Sequence, residues 1–343
     1  MTAPLPRRTL LRAFALAPVA AAGIGLLGST RAVSAPPGTG STWIATGSFE
    51  PTDLDEADHA DWMAALPDGV SLAALSIPGT HDTMAYDASL VSLTQEHDLP
   101  TQLRAGIRAI DIRTRHFRDR FSLHHGPEYL HANFTDVVRS CARFLTEHPS
   151  ETILMRVKSE FTEAENTRDF AATWRWYVKD NPDTADLLAR HLWLADAATP
   201  VVAPVLGAVR GKIVVLQEFD TEAPVGIAWD GAATAIQDDY QLTDLPSIER
   251  KFAAVTDHLA AARAGDADLL FINHLSATFA EDLVPIARGT LPVTVAKGAP
   301  GVTGMVPRTA AHLRAHPRGR TGVVIADFPT AELIAAILAC NPV

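Results

Sequence analysis

The sequence predicts an α/β protein, with a (β/α) barrel favoured over an open sheet. Three observations carry this. Short apolar runs rich in β-branched residues alternate with amphipathic helical patterns. The runs are almost continuously apolar, as parallel strands covered on both faces are. Ionisable side chains follow one run after another, at the C-terminal tips where barrel proteins build their sites.

Taken in order, the strands are read at Leu72–Ile77, ended by Pro78-Gly79, then at Ala109–Arg113, Thr152–Val157, Lys212–Leu216, Leu269–Asn273 and Gly322–Ala326. "RFSL" before His124 adds a short hairpin strand. Helical patterns fall between them in "TDVVRSCARFLTEH", "DFAATWRWYVKD", "LPSIERKFAAVTDHLAAARAG" and "PTAELIAAILA". There is no internal repeat. One catalytic-sized domain is expected over residues 42–343, preceded by a linker at 36–41.

Residues 1–35 read as an export signal: paired Arg7-Arg8, an apolar stretch from Phe14 to Leu27, then small residues. The arginine pair suggests the twin-arginine route. The apolar stretch is short for a membrane span. The 343-residue chain carries a formal net charge of −11, and loss of residues 1–35, with four arginines and no acids, leaves −15. Such a charge argues against a general nucleic-acid binder and against adsorption to an anionic bilayer through charge. Cys141 and Cys340 permit a disulfide in an exported protein, or pack as two buried thiols, and their spacing suits no zinc site.

The strand tips hold His81 and Asp82; Arg113; His124 and His125; Lys158 and Glu160; Asp238, Asp239 and Tyr240; and Asp327. Each has a structural reading when taken singly. Asp82 could cap a turn, Arg113 could pair with a surface acid, Lys158 could sit on a solvated rim, and Asp327 could cap the last helix. The set points further. Two histidines, an arginine, a lysine and acids in one crevice suit phosphoryl transfer without a metal. One His takes a proton, the other gives one, and a guanidinium forks a phosphate.

"LSIPGTHDT", "TQEHDLPTQLRAGIRAIDIRTR", "LHHGPEYLHANFTDVVRSCARFLTEHPSETILMRVKSE", "GKIVVL", "IQDDY" and "GVVIADF" occur in that order from about Trp62 to Phe328. Together they resemble the bacterial phosphatidylinositol-specific phospholipase C family. The resemblance implies a single distorted TIM-type barrel with its site at the C-terminal mouth. It implies cleavage of phosphatidylinositol to diacylglycerol and an inositol cyclic phosphate. It also implies roles: His81 as general base oriented by Asp327, His125 as general acid supported by Asp82, and Arg113 on the phosphate. Lys158, Asp238 and Tyr240 would line and stack the inositol pocket.

One departure stands out. Family members carry an inositol-contacting arginine after the "GKIVLL" segment, and this chain has Gln217 and Glu218 there. A carboxylate accepts from hydroxyls, so Glu218 is expected to bind substrate while repelling an added phosphate. No cofactor or metal is expected, because Arg113 stands where calcium-dependent relatives place an acid. The expected partner is phosphatidylinositol, free or glycosylated, met transiently at a membrane, with no stable protein partner. Apolar rim candidates are residues 88–91, "APVGIAW" around Trp229 and "SATFAEDLV" around Phe279. The alternatives are a glycerophosphodiester phosphodiesterase, whose His-Arg-Gly start and Glu-x-Asp metal pair are absent at matching tips, and a catalytically inactive inositol-lipid-binding module.

Overall fold

Alternating residues of the long strands set the architecture. In β2 (Ala109–Phe117), β5 (Thr152–Ser159) and β6 (Lys212–Glu218), every second side chain turns inward. Ala109, Leu154 and Val214 meet in one apolar cluster, while Ile110, Met155 and Val215 belong to the shell under the helices. The structure is a computed structural model, and it describes residues 51–194, 202–279 and 291–342. The expected export signal and linker, and the part of the expected rim segment after Phe279, lie outside those residues, as does the side chain of Phe279.

The remaining barrel strands are β1 (Ser76–Thr80), β7 (Ile227–Ala228), β8 (Thr234–Gln237), β9 (Leu270–His274) and β10 (Gly322–Ala326). They pair in the order β7-β6-β5-β2-β1-β10-β9-β8, all in parallel. This is a nearly closed eight-stranded barrel. Among the described residues no ladder joins β7 to β8, and that seam is its distortion. A hairpin, β3 (Arg120–His125) and β4 (Glu128–Asn133), extends the end of β2 antiparallel above the mouth.

Helices cover the outside. Phe134–Glu147 starts in a capping box between Asn133 and Asp136 and buries Val137, Val138 and Cys141 on the shell. Ala331–Leu338, capped by Thr330, packs Leu333 and Ile337 with Val324 and Ala326 of β10. Each such buried aliphatic side chain contributes roughly 1.5–3 kcal/mol. Both cysteines are free and buried, and burial pushes the Cys141 thiol up to about 12.

Two expectations and one alternative reading are corrected here. The first strand is Ser76–Thr80, not Leu72–Ile77: Leu72–Ala74 form a 3-10 turn whose start is capped by the Ser71 side chain. Pro78-Gly79 lie inside that strand instead of ending it, and β2 begins only opposite Gly79. Asp327 does not cap the last helix, since Thr330 does. Trp229 is no rim residue; it is 6% exposed and packs inward, whereas Leu90 and Val91 are exposed as expected.

Candidate active site

The strand alternation stacks the inward side chains in layers. Above the apolar layer of Ala109, Leu154 and Val214 sit Asp111 and Arg156, register partners on β2 and β5. Above them Arg113, Lys158 and Glu218 are register partners across β2, β5 and β6. On the other side, Thr80 of β1 pairs with Ala326 of β10, so the next residues, His81 and Asp327, emerge side by side. These groups open into a cavity of about 620 Å³ lined by His81, Arg113, His125, Lys158, Glu218, Asp238, Tyr240 and Asp327. Asp82 is the one expected site residue set behind that lining; it is buried under His125.

His81 Nδ1 lies 2.7 Å from Asp327 Oδ1, and its Nε2 lies 2.6 Å from Arg113 Nη2. A guanidinium only donates. His81 Nε2 is therefore the acceptor, and the ring proton sits on Nδ1, donated to Asp327. Burial, and then the Arg113 charge, hold His81 well below the ordinary imidazole range. It is thus neutral at neutral pH, with a lone pair at the cavity. Burial raises the Asp327 carboxyl, against the pull of Arg113 and Lys251.

Asp82 has φ 39°, a left-handed turn that Asp tolerates. It turns the two neighbouring side chains to different tasks. His81 meets Asp327, while Asp82 Oδ2 lies 2.6 Å from His125 Nδ1 and 4.0 Å from Arg113 Nε. The His125 contact is close but off-line for a well-directed hydrogen bond. Burial raises the Asp82 carboxyl. Arg113 itself is held above its ordinary range by Asp111 and Asp82, in spite of burial.

Lys158 pairs with Glu160 at 3.2 Å, and Glu160 accepts from the amide of Gly126 beside His125. The β8 tip is held from below. Gln237 donates to Asn273 Oδ1 and to the His274 carbonyl, and accepts from buried Lys251 and from the Asp239 amide. Burial lowers Lys251 to about 8. Asp239 is turned aside to Arg250, leaving Asp238 and half-exposed Tyr240 at the cavity.

Several residues here went unread in the sequence. Asp111 Oδ2 accepts from Arg113 Nε at 3.1 Å and from the Asp82 amide at 3.0 Å. Although burial opposes it, Arg156 and Arg113 hold Asp111 well below the usual carboxylate range. Arg156 bonds Asp111 and Glu218 and lies 4.0 Å from the Trp229 ring centre. Glu218, expected to repel an added phosphate, is therefore charge-paired. His274, buried and lowered to about 4 by that burial, packs edge-on to His81 and Trp229. Alternation was the available signal: Asp111 and Arg156 stand two residues before Arg113 and Lys158 on the same strands.

The profile described as "Phosphatidylinositol-specific phospholipase C, X domain" matches residues 71–218, from before β1 to the end of β6. The 1-phosphatidylinositol phosphodiesterase of Listeria monocytogenes is 33% identical over 298 residues, covering 82% of this chain and 84% of that protein. That of Staphylococcus aureus strain Newman is 27% identical, covering 78% and 88%. The solved phosphatidylinositol-specific phospholipase C from Listeria monocytogenes superposes with a TM-score of 0.67 at 31% identity, covering 83% of this chain and 99% of that one. On this similarity along most of both chains, the protein belongs to the phosphatidylinositol-specific phospholipase C X-domain family.

Proposed function

We propose that the protein is an exported phosphatidylinositol-specific phospholipase C that cleaves phosphatidylinositol to diacylglycerol and inositol 1,2-cyclic phosphate without a metal. The observation that carries this is the pair of contacts His81 makes, with Asp327 and with Arg113, from which its tautomer follows. Its unprotonated Nε2 faces the cavity beside a guanidinium, and its Nδ1–H is anchored on Asp327. When substrate displaces Arg113 Nη2 from that nitrogen, the same geometry serves both groups. His81 Nε2 takes the proton of the inositol 2-hydroxyl, and Arg113 turns to the phosphoryl oxygens.

The 2-hydroxyl is cis to the phosphate, so its attack is intramolecular and has a large effective-concentration advantage over water. The new bond joins the 2-oxygen to phosphorus. The bond from phosphorus to the glycerol oxygen breaks, and His125, held by Asp82, gives that oxygen a proton. Lys158, Glu218, Asp238 and Tyr240 surround the ring. Exposed Leu90 and Val91, with Tyr240 at the cavity edge, offer a small apolar rim for transient contact with a bilayer. Export is supported by the Arg7-Arg8 pair and the apolar stretch after it. Among the described residues no helix is long and apolar enough to cross a membrane.

Phosphorus NMR on phosphatidylinositol vesicles, with excess chelator present, tests the reading. The first water-soluble product should be the cyclic ester, formed at an undiminished rate. A monoester appearing first, or a rate abolished by chelation and restored by calcium, refutes it.

A further inference from the structure

Beneath the proton-transfer groups lies a second charged unit. Arg156 is 5% exposed, one layer below Lys158, with its guanidinium against the Trp229 ring. Its Nε and Nη2 lie 2.6 and 2.5 Å from the same oxygen, Glu218 Oε2. Its Nη1 lies 3.2 Å from Asp111 Oδ1, and the other Asp111 oxygen holds Arg113. A continuous chain therefore runs from the cavity wall to the phosphate-facing guanidinium: Glu218, Arg156, Asp111, Arg113.

The pairing leaves something over. Both guanidinium nitrogens fall on Oε2, and Glu218 Oε1 has no hydrogen-bond partner among the described residues. Glu218 lines the cavity and is about one-third exposed there. A structural ion pair looks different. Glu151, paired with buried Arg108, uses both oxygens: Oε2 takes the guanidinium, and Oε1 takes the Met63 amide and the Ser150 hydroxyl. A carboxylate fixed by one oxygen and free at the other is a built acceptor for a hydroxyl.

We infer that Arg156 is a positioning residue that holds Glu218 Oε1 as a hydroxyl acceptor for the polyol head group, and that through Asp111 it ties this contact to the placement of Arg113. The inference rests on the inositol-lipid reading above. Arg156 also lines the cavity, but it is given no part in the proton transfers and acts through the carboxylates it holds. It fixes one carboxylate that grips the ring and another that aims the phosphate-binding arginine. Trp229 covers its flat face and keeps water from it.

The test is steady-state kinetics on phosphatidylinositol vesicles for Glu218→Gln, Arg156→Met, Arg156→Lys and the double variant Arg156→Met/Glu218→Gln. Glu218→Gln should raise KM about tenfold, as expected for weakening a bond to a charged acceptor, with a much smaller change in kcat. Arg156→Met should raise KM by a similar factor and also lower kcat about tenfold, because Asp111 loses its second cation. The double variant should match Arg156→Met in KM, because Glu218 is already unfixed. Arg156→Lys should recover part of kcat and little of KM, since one ammonium cannot serve both carboxylates in fixed geometry.

Multiplicative KM effects in the double variant, or an unchanged KM in Glu218→Gln, overturn the inference. Near-ultraviolet circular dichroism reports whether each variant is folded. If Arg156→Met does not fold, Glu218→Gln and Arg156→Lys decide the matter alone. A wild-type protein that leaves phosphatidylinositol uncleaved refutes the functional reading and this inference with it; an active wild type with unmoved KM values refutes only the inference.

Discussion

Arg108 and Arg113 stand five residues apart around one strand, both deeply set against carboxylates, and they do opposite work. Arg108, fully buried just before β2, spends all its donors. Nε goes to Glu151, Nη1 to the carbonyls of Leu103 and Ile107, and Nη2 to those of His59 and Ala60. It stitches the N-terminal segments to the bottom of the barrel. Arg113, at the mouth, gives Nε to Asp111 and one Nη2 proton to His81, and its other donors have no hydrogen-bond partner among the described residues. Burial and pairing do not separate a structural arginine from a functional one. The count of unspent donors facing a cavity does.

The sharpest way to test the mouth is through the histidine that Arg113 touches. His81→Ala and His125→Ala should each lose about 10²–10⁴-fold in rate while the melting temperature holds near wild type, because each removes one proton transfer and little packing. A near-normal rate in either folded variant breaks the assignment of base and acid.

The arginines themselves should then part ways. Arg108→Met should cost about 3–5 kcal/mol of stability in urea titrations by stranding buried Glu151, with specific activity of the folded fraction preserved. Arg113→Ala should lose about 10²–10³-fold in kcat/KM with a far smaller change in stability. If Arg113→Ala unfolds the protein and Arg108→Met abolishes turnover in a folded one, the contrast drawn here is wrong.

The smallest effect concerns the neutral histidines packed behind the cavity. Buried His274 is lowered from 6.5 to about 4, so it stays neutral in the folded chain where the unfolded chain already binds a proton. Its contribution is fully present above pH 6.5 and lost as pH falls towards about 4. His81, lowered for the same reason, adds loss in the same direction. His274→Gln should flatten the fall in unfolding free energy between about pH 7 and 4.5 by on the order of 3 kcal/mol. An unchanged pH slope would mean that His274 is not held neutral.

Much of the barrel was legible because its strands are apolar on both faces. Gly322–Ala326 was read with its observed bounds, and Ala109, Thr152 and Lys212 were read as strand starts. Short β7 and β8 were not, since two to four residues carry no period, and Ala228 and Thr234 look like loop. The candidate site residues at the tips were visible as charges following apolar runs. Asp111 and Arg156 were not, because they sit inside the runs. A charge inside a buried strand looks like an exception to the pattern until its register partner is known, and register is not written in one strand. The same gap hid the pairing of Glu218 with Arg156.

The open seam between β7 and β8 has a consequence for how this scaffold can change. Every other barrel strand is laced on both sides, so lengthening a connection there must keep two ladders in step. At the seam the stretch from Trp229 to Ala233 answers to one ladder on each side and to a few side-chain ties, such as Thr234 Oγ1 to the Trp229 carbonyl. Trp229, Asp230, Ile236 and Asp238 of the cavity lining all sit beside that gap. A change of loop length therefore disturbs the fewest ladders between Trp229 and Ala233, and the most around His81, Arg113 and Asp327, where two ladders must stay in step. Drift in loop length at this seam would reach Trp229, Asp230 and Asp238 first and leave the ladders under His81, Arg113 and Asp327 in register.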